Sequence, residues 1–343
     1  MKKLQNTLYI STPNRYISLD GENVVVSEDK TEIGRVPLHN LEAIVSYGYT
    51  GASPALMGAC AERGIALSFM TANGRFLARV TGKVNGNVTL RRQQFRIADD
   101  AAESLKISKN MLLGKVYNAK WVLERCTRDY PLRVDTAAIK AKSATMGECL
   151  QKIRSATNAD TLRGYEGDAA LAYFSVFNQM LLQQKEDFAF EKRSRRPPLD
   201  RINSLMSFIY SLTAGMCASA LEAIGLDPAV GFFHTDRPGR ASLALDLMEE
   251  FRAVLCDRFV LGLINLRVVN AKDFIIRENG AVIMTDDTRS AVLKAWQTKK
   301  YEEITHPFLG EKIEWGMLPY VQAMLLARSI RGDLEEYPPF LWK

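Results

Sequence analysis

Residues 15–29 read RYISLDGENVVVSED, from Arg15 to Asp29. Apolar and polar side chains alternate on both sides of Asp20-Gly21, and an Asp-Gly pair between two alternating runs is the signal of a β-hairpin. Outward from this hairpin, LEAIVSYG (41–48), IALSFMT (65–71) and RFLARVTG (75–82) keep the strand period, the last two joined through Ala72-Asn73-Gly74. A short helix, PALMGACAERG, interrupts them, with Gly64 placed as its C-terminal stop. From about Arg92 the period changes. AAESLKISKNMLLGKVYNAKWVLERC, GDAALAYFSVFNQMLLQQ and SLALDLMEEFRAVLCDRFVLGLINL repeat apolar residues at helical spacing. One further hairpin, DFIIRENGAVIMT, turns at Asn279-Gly280. The expected fold class is α+β, with a small β domain over residues 1–91 and a larger, mostly α-helical domain over residues 92–343.

Composition narrows the function classes. A chain of 343 residues that is 47% hydrophobic and 24% charged is an ordinary globular protein, not a disordered one. The five cysteines are scattered with no CxxC pair, which argues against a disulfide framework or a zinc ribbon and fits a reducing cytosol. MKKLQNTLYIS at the N-terminus lacks the apolar run of a signal peptide. Ile202–Leu221 runs without a charge for the length of a membrane span, but its serines, Asn203 and Gly215 suit a buried helix packed among neighbours, so no membrane role is expected. The net charge of +6 leans toward polyanionic partners. Basic residues gather in FEKRSRRPP, with Lys192, Arg193, Arg195 and Arg196, and again at Arg237 and Arg240.

The second basic group lies within GFFHTDRPGRASLALDLMEEFR, Gly231 to Arg252, where one of only three histidines precedes a strip of acids. A bland account is available. Asp246, Glu249, Glu250 and Asp257 suit the solvated face of an amphipathic helix after a Ser242 N-cap, and His234 suits a hydrogen-bonded core position. Glu166, between Gly164 and Gly167, suits a helix start, where acids complement the macrodipole. The sharper account uses the same spacing: residues i and i+3 share a helix face, so Asp246 and Glu249 can address one ion, with His234 and Glu166 added. One imidazole among carboxylates suits Mg²⁺ or Mn²⁺.

Three blocks carry a resemblance. RGYEGDAALAYFSVF (163–177), HTDRPGRASLALDLMEEFR (234–252) and WGMLPYVQAMLLARSIRGDLEEYPPFLW (315–342) resemble the signature blocks of the large subunit of the CRISPR spacer-acquisition integrase, a family also known as the CRISPR-associated endonuclease. The opening LQNTLYISTPNRYISLDGENVVV and the RRPPLDRINSLMSFIYSL block extend it over nearly the whole chain. The resemblance implies an N-terminal β-sandwich and a C-terminal helical domain. It puts the metal ligands and catalytic residues on Glu166, His234 and Glu249, with Asp246 as an auxiliary acid. It also implies a homodimer, two of which flank a dimer of the small CRISPR-associated adaptation subunit in a heterohexamer. That assembly inserts double-stranded DNA fragments into the repeat array by 3′-hydroxyl attack on a phosphodiester. Arg193, Arg195, Arg196, Arg237 and Arg240 are the expected phosphate contacts. Two other readings use the same residues: a metal-dependent nuclease acting on branched DNA in repair without integration, and a non-catalytic DNA-binding scaffold.

Overall fold

The computed structural model describes residues 6–71, 76–80, 82 and 88–343. The N-terminal part holds β1 (Thr7–Ile10), β2 (Arg15–Asp20), β3 (Asn23–Glu28), β4 (Thr31–Pro37), β5 (Ala43–Tyr47), α1 (Pro54–Arg63), β6 (Ala66–Met70) and β7 (Phe76–Val80). β2, β3 and β4 form an antiparallel sheet, and the expected hairpin closes with Asp20 opposite Asn23. The second sheet has the order β1-β5-β6-β7, in which β5 runs parallel to both β1 and β6 while β7 is antiparallel. α1 is the crossover that allows β5 and β6 to run parallel, since parallel neighbours cannot be joined by a tight turn. It opens on a Ser53 side-chain cap and stops at Gly64, in the left-handed region at φ 69°. Ile17, Val24 and Val26 from the first sheet share one small core with Ile10, Ile44 and Leu67 from the second, so the two sheets are layers of a sandwich. The Ala72-Asn73-Gly74 link lies outside the described residues.

The rest is mainly helical: α2 (Val88–Asp99), α3 (Ala101–Asp129), α4 (Thr136–Ser155), α5 (Ala159–Ser175), α6 (Arg201–Ile224), α7 (Ser242–Met248), α8 (Arg258–Asn265), α9 (Asp286–Tyr301) and α10 (Leu318–Arg331). The expected hairpin appears as β8 (Phe274–Ile276) and β9 (Val282–Met284) with Gly280 at φ 76°. A second small hairpin, β10 (Glu303–Thr305) with β11 (Lys312–Glu314), was not legible in the sequence pattern. The boundary expected at 91/92 falls inside α2. Leu90 is buried in the helical core, so that domain begins no later than Val88. α6 is long and apolar enough to cross a membrane, yet Ile202, Leu205, Met206, Ile209 and Leu221 are fully buried in the large core, with neighbouring helices in the place of lipid.

The two parts are not independent. Tyr47 and Met70 of the second sheet belong to the core of the helical part, and the Tyr47 ring lies 6.1 Å from that of Phe208 on α6.

Candidate functional site

The loop between α6 and α7 folds back on Asp246. One oxygen of that carboxylate accepts the backbone N–H groups of Phe232 (2.7 Å) and Phe233 (3.0 Å), and the other accepts the His234 N–H at 3.0 Å. The His234 ring completes the set, with Nδ1 2.5 Å from Asp246 Oδ1. An ionised carboxylate only accepts, so this contact keeps the ring proton on Nδ1 and leaves Nε2 with a lone pair. Gly231 makes the approach possible: a Cβ there would stand 2.8 Å from both Asp246 Oδ2 and Ser242 Cβ. The cap of α7 is Ala241 and not Ser242, as the sequence led us to expect. The Ser242 hydroxyl instead accepts from Arg240 Nε at 3.2 Å and reaches the Thr235 carbonyl at 3.3 Å, bracing the same loop.

After Met248 the helix changes character. Glu249–Phe251 is a tight 3₁₀ turn and Arg252–Asp257 a π-helical turn, before α8 resumes. Such irregular turns recur at functional sites because they re-aim side chains that a regular helix would splay evenly. Asp246, Glu249, Glu250 and Asp257 are at most 3% exposed, which overturns the solvated-face account.

Glu249 Oε1 lies 2.8 Å from Arg252 and 4.0 Å from His234 Nε2. Its Oε2 is 2.7 Å from Lys115 Nζ on α3, a buried ion pair. Burial alone would raise the Glu249 pKa, but the Arg252 and Lys115 cations outweigh it and bring it down to about 2. Lys115 also pairs with Glu166 on α5. The neighbouring Gly114 lets α3 come in this closely, since a Cβ there would stand 2.9 Å from Glu250 Cγ. Glu250 points the other way, accepting Tyr337 O–H (2.6 Å), the Phe340 N–H (2.6 Å) and Gln322 Nε2 (3.0 Å). Burial, only partly relieved by these bonds, pushes its pKa up to about 8.

Of the expected ligands, the structure thus brings His234 and Glu249 face to face and ties Glu166 to Glu249 through Lys115. Among the described residues no three His, Cys, Asp or Glu side chains stand near enough to hold an ion as they are placed. Asp246 does not have the geometry of an auxiliary ligand: its oxygens are taken by three backbone N–H groups and Nδ1. Glu166 is not at a helix start either. α5 opens at an Asn158 cap, which puts Glu166 in mid-helix and removes the macrodipole account of it. Lys115 and Arg252 were missed, although Arg252 stands three residues after Glu249 in the stretch singled out. The donor set fits a hard divalent ion. It comprises an imidazole presenting Nε2, the Asp246 carboxylate that fixes that ring, and two carboxylates gathered on one flexible lysine cation.

Beside these residues opens a cavity of about 550 Å³, lined among others by Lys115, Glu166, Arg193, Arg195 and Arg252. The five expected phosphate contacts separate here. Arg195, Arg196 and Arg237 are exposed. Arg193 is engaged within the protein, donating to the Ser194 carbonyl at 2.8 Å and to Ser207 Oγ at 3.2 Å. Arg240 bonds Thr235 and Ser242.

Comparison with known proteins agrees with this architecture. The family described as CRISPR associated protein Cas1 matches residues 8–298. A relative from Chlorobaculum tepidum, named CRISPR-associated endonuclease Cas1 1, is 49% identical over 343 residues, 100% of both chains. One from Rhodospirillum rubrum, CRISPR-associated endonuclease Cas1 2, is 51% identical over 347 residues, again 100% of both. Among solved structures, a casposase bound to integration product shares the fold with TM-score 0.84 at 23% identity, covering 98% of this chain and 93% of that one. A Cas6-RT-Cas1–Cas2 complex does so with TM-score 0.82 at 22% identity, covering 100% of this chain and 36% of that one. Matched along most of its length by the family and end to end by these relatives, the chain belongs to the Cas1 family of CRISPR-associated proteins.

Proposed function

We propose that this protein is a metal-dependent DNA endonuclease and integrase of CRISPR adaptation, which joins the 3′-hydroxyl of a short double-stranded fragment to a phosphodiester of the repeat array. The observation that carries this reading is the His234–Glu249 pair, with Nε2 directed at a buried carboxylate by Asp246. Glu166, His234 and Glu249 would hold Mg²⁺ or Mn²⁺. The ion, when bound, supplies Lewis acidity for the attacking hydroxyl and for the charge that gathers on phosphorus and the leaving oxygen. Asp246 fixes the imidazole so that it need not reorganise during the reaction. Arg252 keeps Glu249 ionised, and the exposed Arg195, Arg196 and Arg237 hold the DNA backbone.

The relatives' name, endonuclease, supports a nuclease. The names of the two solved structures, an integration product in one and Cas2 in the other, support strand joining and a small adaptation subunit as partner. A homodimer assembling with that subunit into a heterohexamer is the corresponding assembly. The five free, buried cysteines support a cytoplasmic location.

The test is Mn²⁺-supported joining of a short duplex to a repeat-bearing plasmid in the presence of the small subunit. Glu166→Ala, His234→Ala and Glu249→Ala should each abolish it. Near-normal joining by all three variants would remove the assignment. Cleavage without joining in the wild type would favour the branched-DNA nuclease.

A further inference from the structure

Lys115 stands where a cation is expected. Its ammonium pairs with Glu166 and lies 2.7 Å from Glu249 Oε2, so one nitrogen bridges carboxylates from two different elements. Without it the two acids would repel each other beside a wall of buried side chains. With it, and with Arg252 on Oε1, two positive groups match two negative ones. A charge-matched site has little attraction for a further divalent ion. Carboxylate oxygens bind such an ion at about 2.0–2.2 Å, which leaves no room for an ammonium on the same oxygens. Entry of the ion therefore requires Lys115 to withdraw. The lysine stem is long and flexible, and its side chain lines the 550 Å³ cavity beside the site, where Arg193 and Arg195 also stand. An anion entering that cavity would receive the displaced ammonium.

We propose that Lys115 is a displaceable internal counter-ion: it holds Glu166 and Glu249 together in the absence of a divalent ion, competes with the ion for them, and passes to a DNA phosphate when the ion binds. The proposal rests on the metal-site reading above and adds a linkage to it: since coupling between two ligands is reciprocal, a bound phosphodiester tightens the ion and the ion tightens the phosphodiester.

The test uses the full-length protein without DNA, titrated with Mn²⁺ and followed by the electron paramagnetic resonance signal of the free ion. Lys115→Met should bind Mn²⁺ at least about tenfold more tightly than the wild type, a difference of about 1.4 kcal/mol. Lys115→Arg, which keeps the charge, should not. In chelator the Met variant should melt lower than the wild type, then gain more from added Mn²⁺. A lysine with a purely structural role predicts the opposite sign, because its loss would loosen the ligands and weaken binding. If Lys115→Met does not fold, Lys115→Gln decides by the same titration. Equal or weaker Mn²⁺ binding by the charge-removing variants, with the wild type binding one ion, overturns the counter-ion while leaving the metal site standing. Absence of stoichiometric Mn²⁺ binding by the wild type and by the charge-removing variants alike overturns both.

Discussion

At the residue scale, two acids three residues apart, one on α7 and one in the 3₁₀ turn after it, do different work. Asp246 faces three backbone N–H groups and Nδ1, whereas Glu249 faces two cations and Nε2. Spacing placed both on one face and could not separate them, because the difference lies in where residues 232–234 fold in three dimensions. Asp246→Asn tests the distinction. An amide cannot accept all four of these bonds, so the ring loses its fixed tautomer, and Mn²⁺ affinity should fall about 10- to 100-fold, the usual cost of removing such a partner. Titration of the variant checks this, and unchanged affinity would make Asp246 dispensable to His234. Gly114 is the other position decided by close approach. Gly114→Ala would push α3 off Glu250 and should cost about 1–3 kcal/mol in urea unfolding, as overpacking does. In the sequence that glycine was only one small residue within a helical repeat, and the lysine after it gave no sign of facing inward.

At the element scale, strand and helix types followed from period 2 and period 3.6, and turns from Asp-Gly and Asn-Gly. The failures were at boundaries, in the short β10–β11 hairpin and in irregular turns. Gly164 and Gly167 made Glu166 look like a helix start, while the Asn158 cap, which accepts from the Thr161 N–H at 2.9 Å, sets the true one. The residues from Ser242 to Asn265 keep an apolar helical repeat, so nothing in the pattern shows the 3₁₀ and π turns within it. Those turns aim Glu249 at the site and Glu250 at the C-terminal segment. The segment is a strap: Tyr337 and Phe340 bind Glu250, and Asn118 of α3 donates to the Glu250 and Phe340 carbonyls at 2.8 Å each. Tyr337→Phe removes one donor from a buried carboxylate. It should lower stability by about 1–3 kcal/mol in urea unfolding. A loss within error would show that the strap is held elsewhere.

At the scale of the whole molecule, the basic side chains and the domain contact make separate predictions. Replacing exposed Arg195, Arg196 and Arg237 together by Ala should flatten the log–log salt dependence of DNA binding by about 0.9 per lost contact, close to three units in all, and equally for all sequences. An unchanged slope would return them to a solvated loop. Sedimentation should give about twice the 38.5 kDa chain mass if the protein is the dimer proposed. A fragment starting near Arg92 is not a fair test of that, since it would cut α2 and strip Tyr47 and Met70 from the helical core. The contact between the two parts is better probed through Lys300. This α9 side chain is 4% exposed and donates to Thr7 Oγ1 on β1 at 2.9 Å. Burial pulls its pKa down to about 8, against the smaller upward pull of Glu42. The unfolded chain keeps that proton until the ordinary lysine value near 10.5. Above pH 8 the unfolded state therefore holds at Lys300 a proton that the folded one has lost, and this residue's contribution to stability rises with pH. The buried cysteines, whose thiol pKa values burial raises, pull the other way in this interval because the unfolded chain gives up those protons first, so the rise is read against a variant that lacks the lysine. Urea melts from about pH 8 to about pH 9.5 should show the wild type gaining stability relative to Lys300→Met as the pH rises. Parallel profiles for the two proteins would mean that Lys300 keeps its proton at the contact and that the contact is wetter than the fold implies.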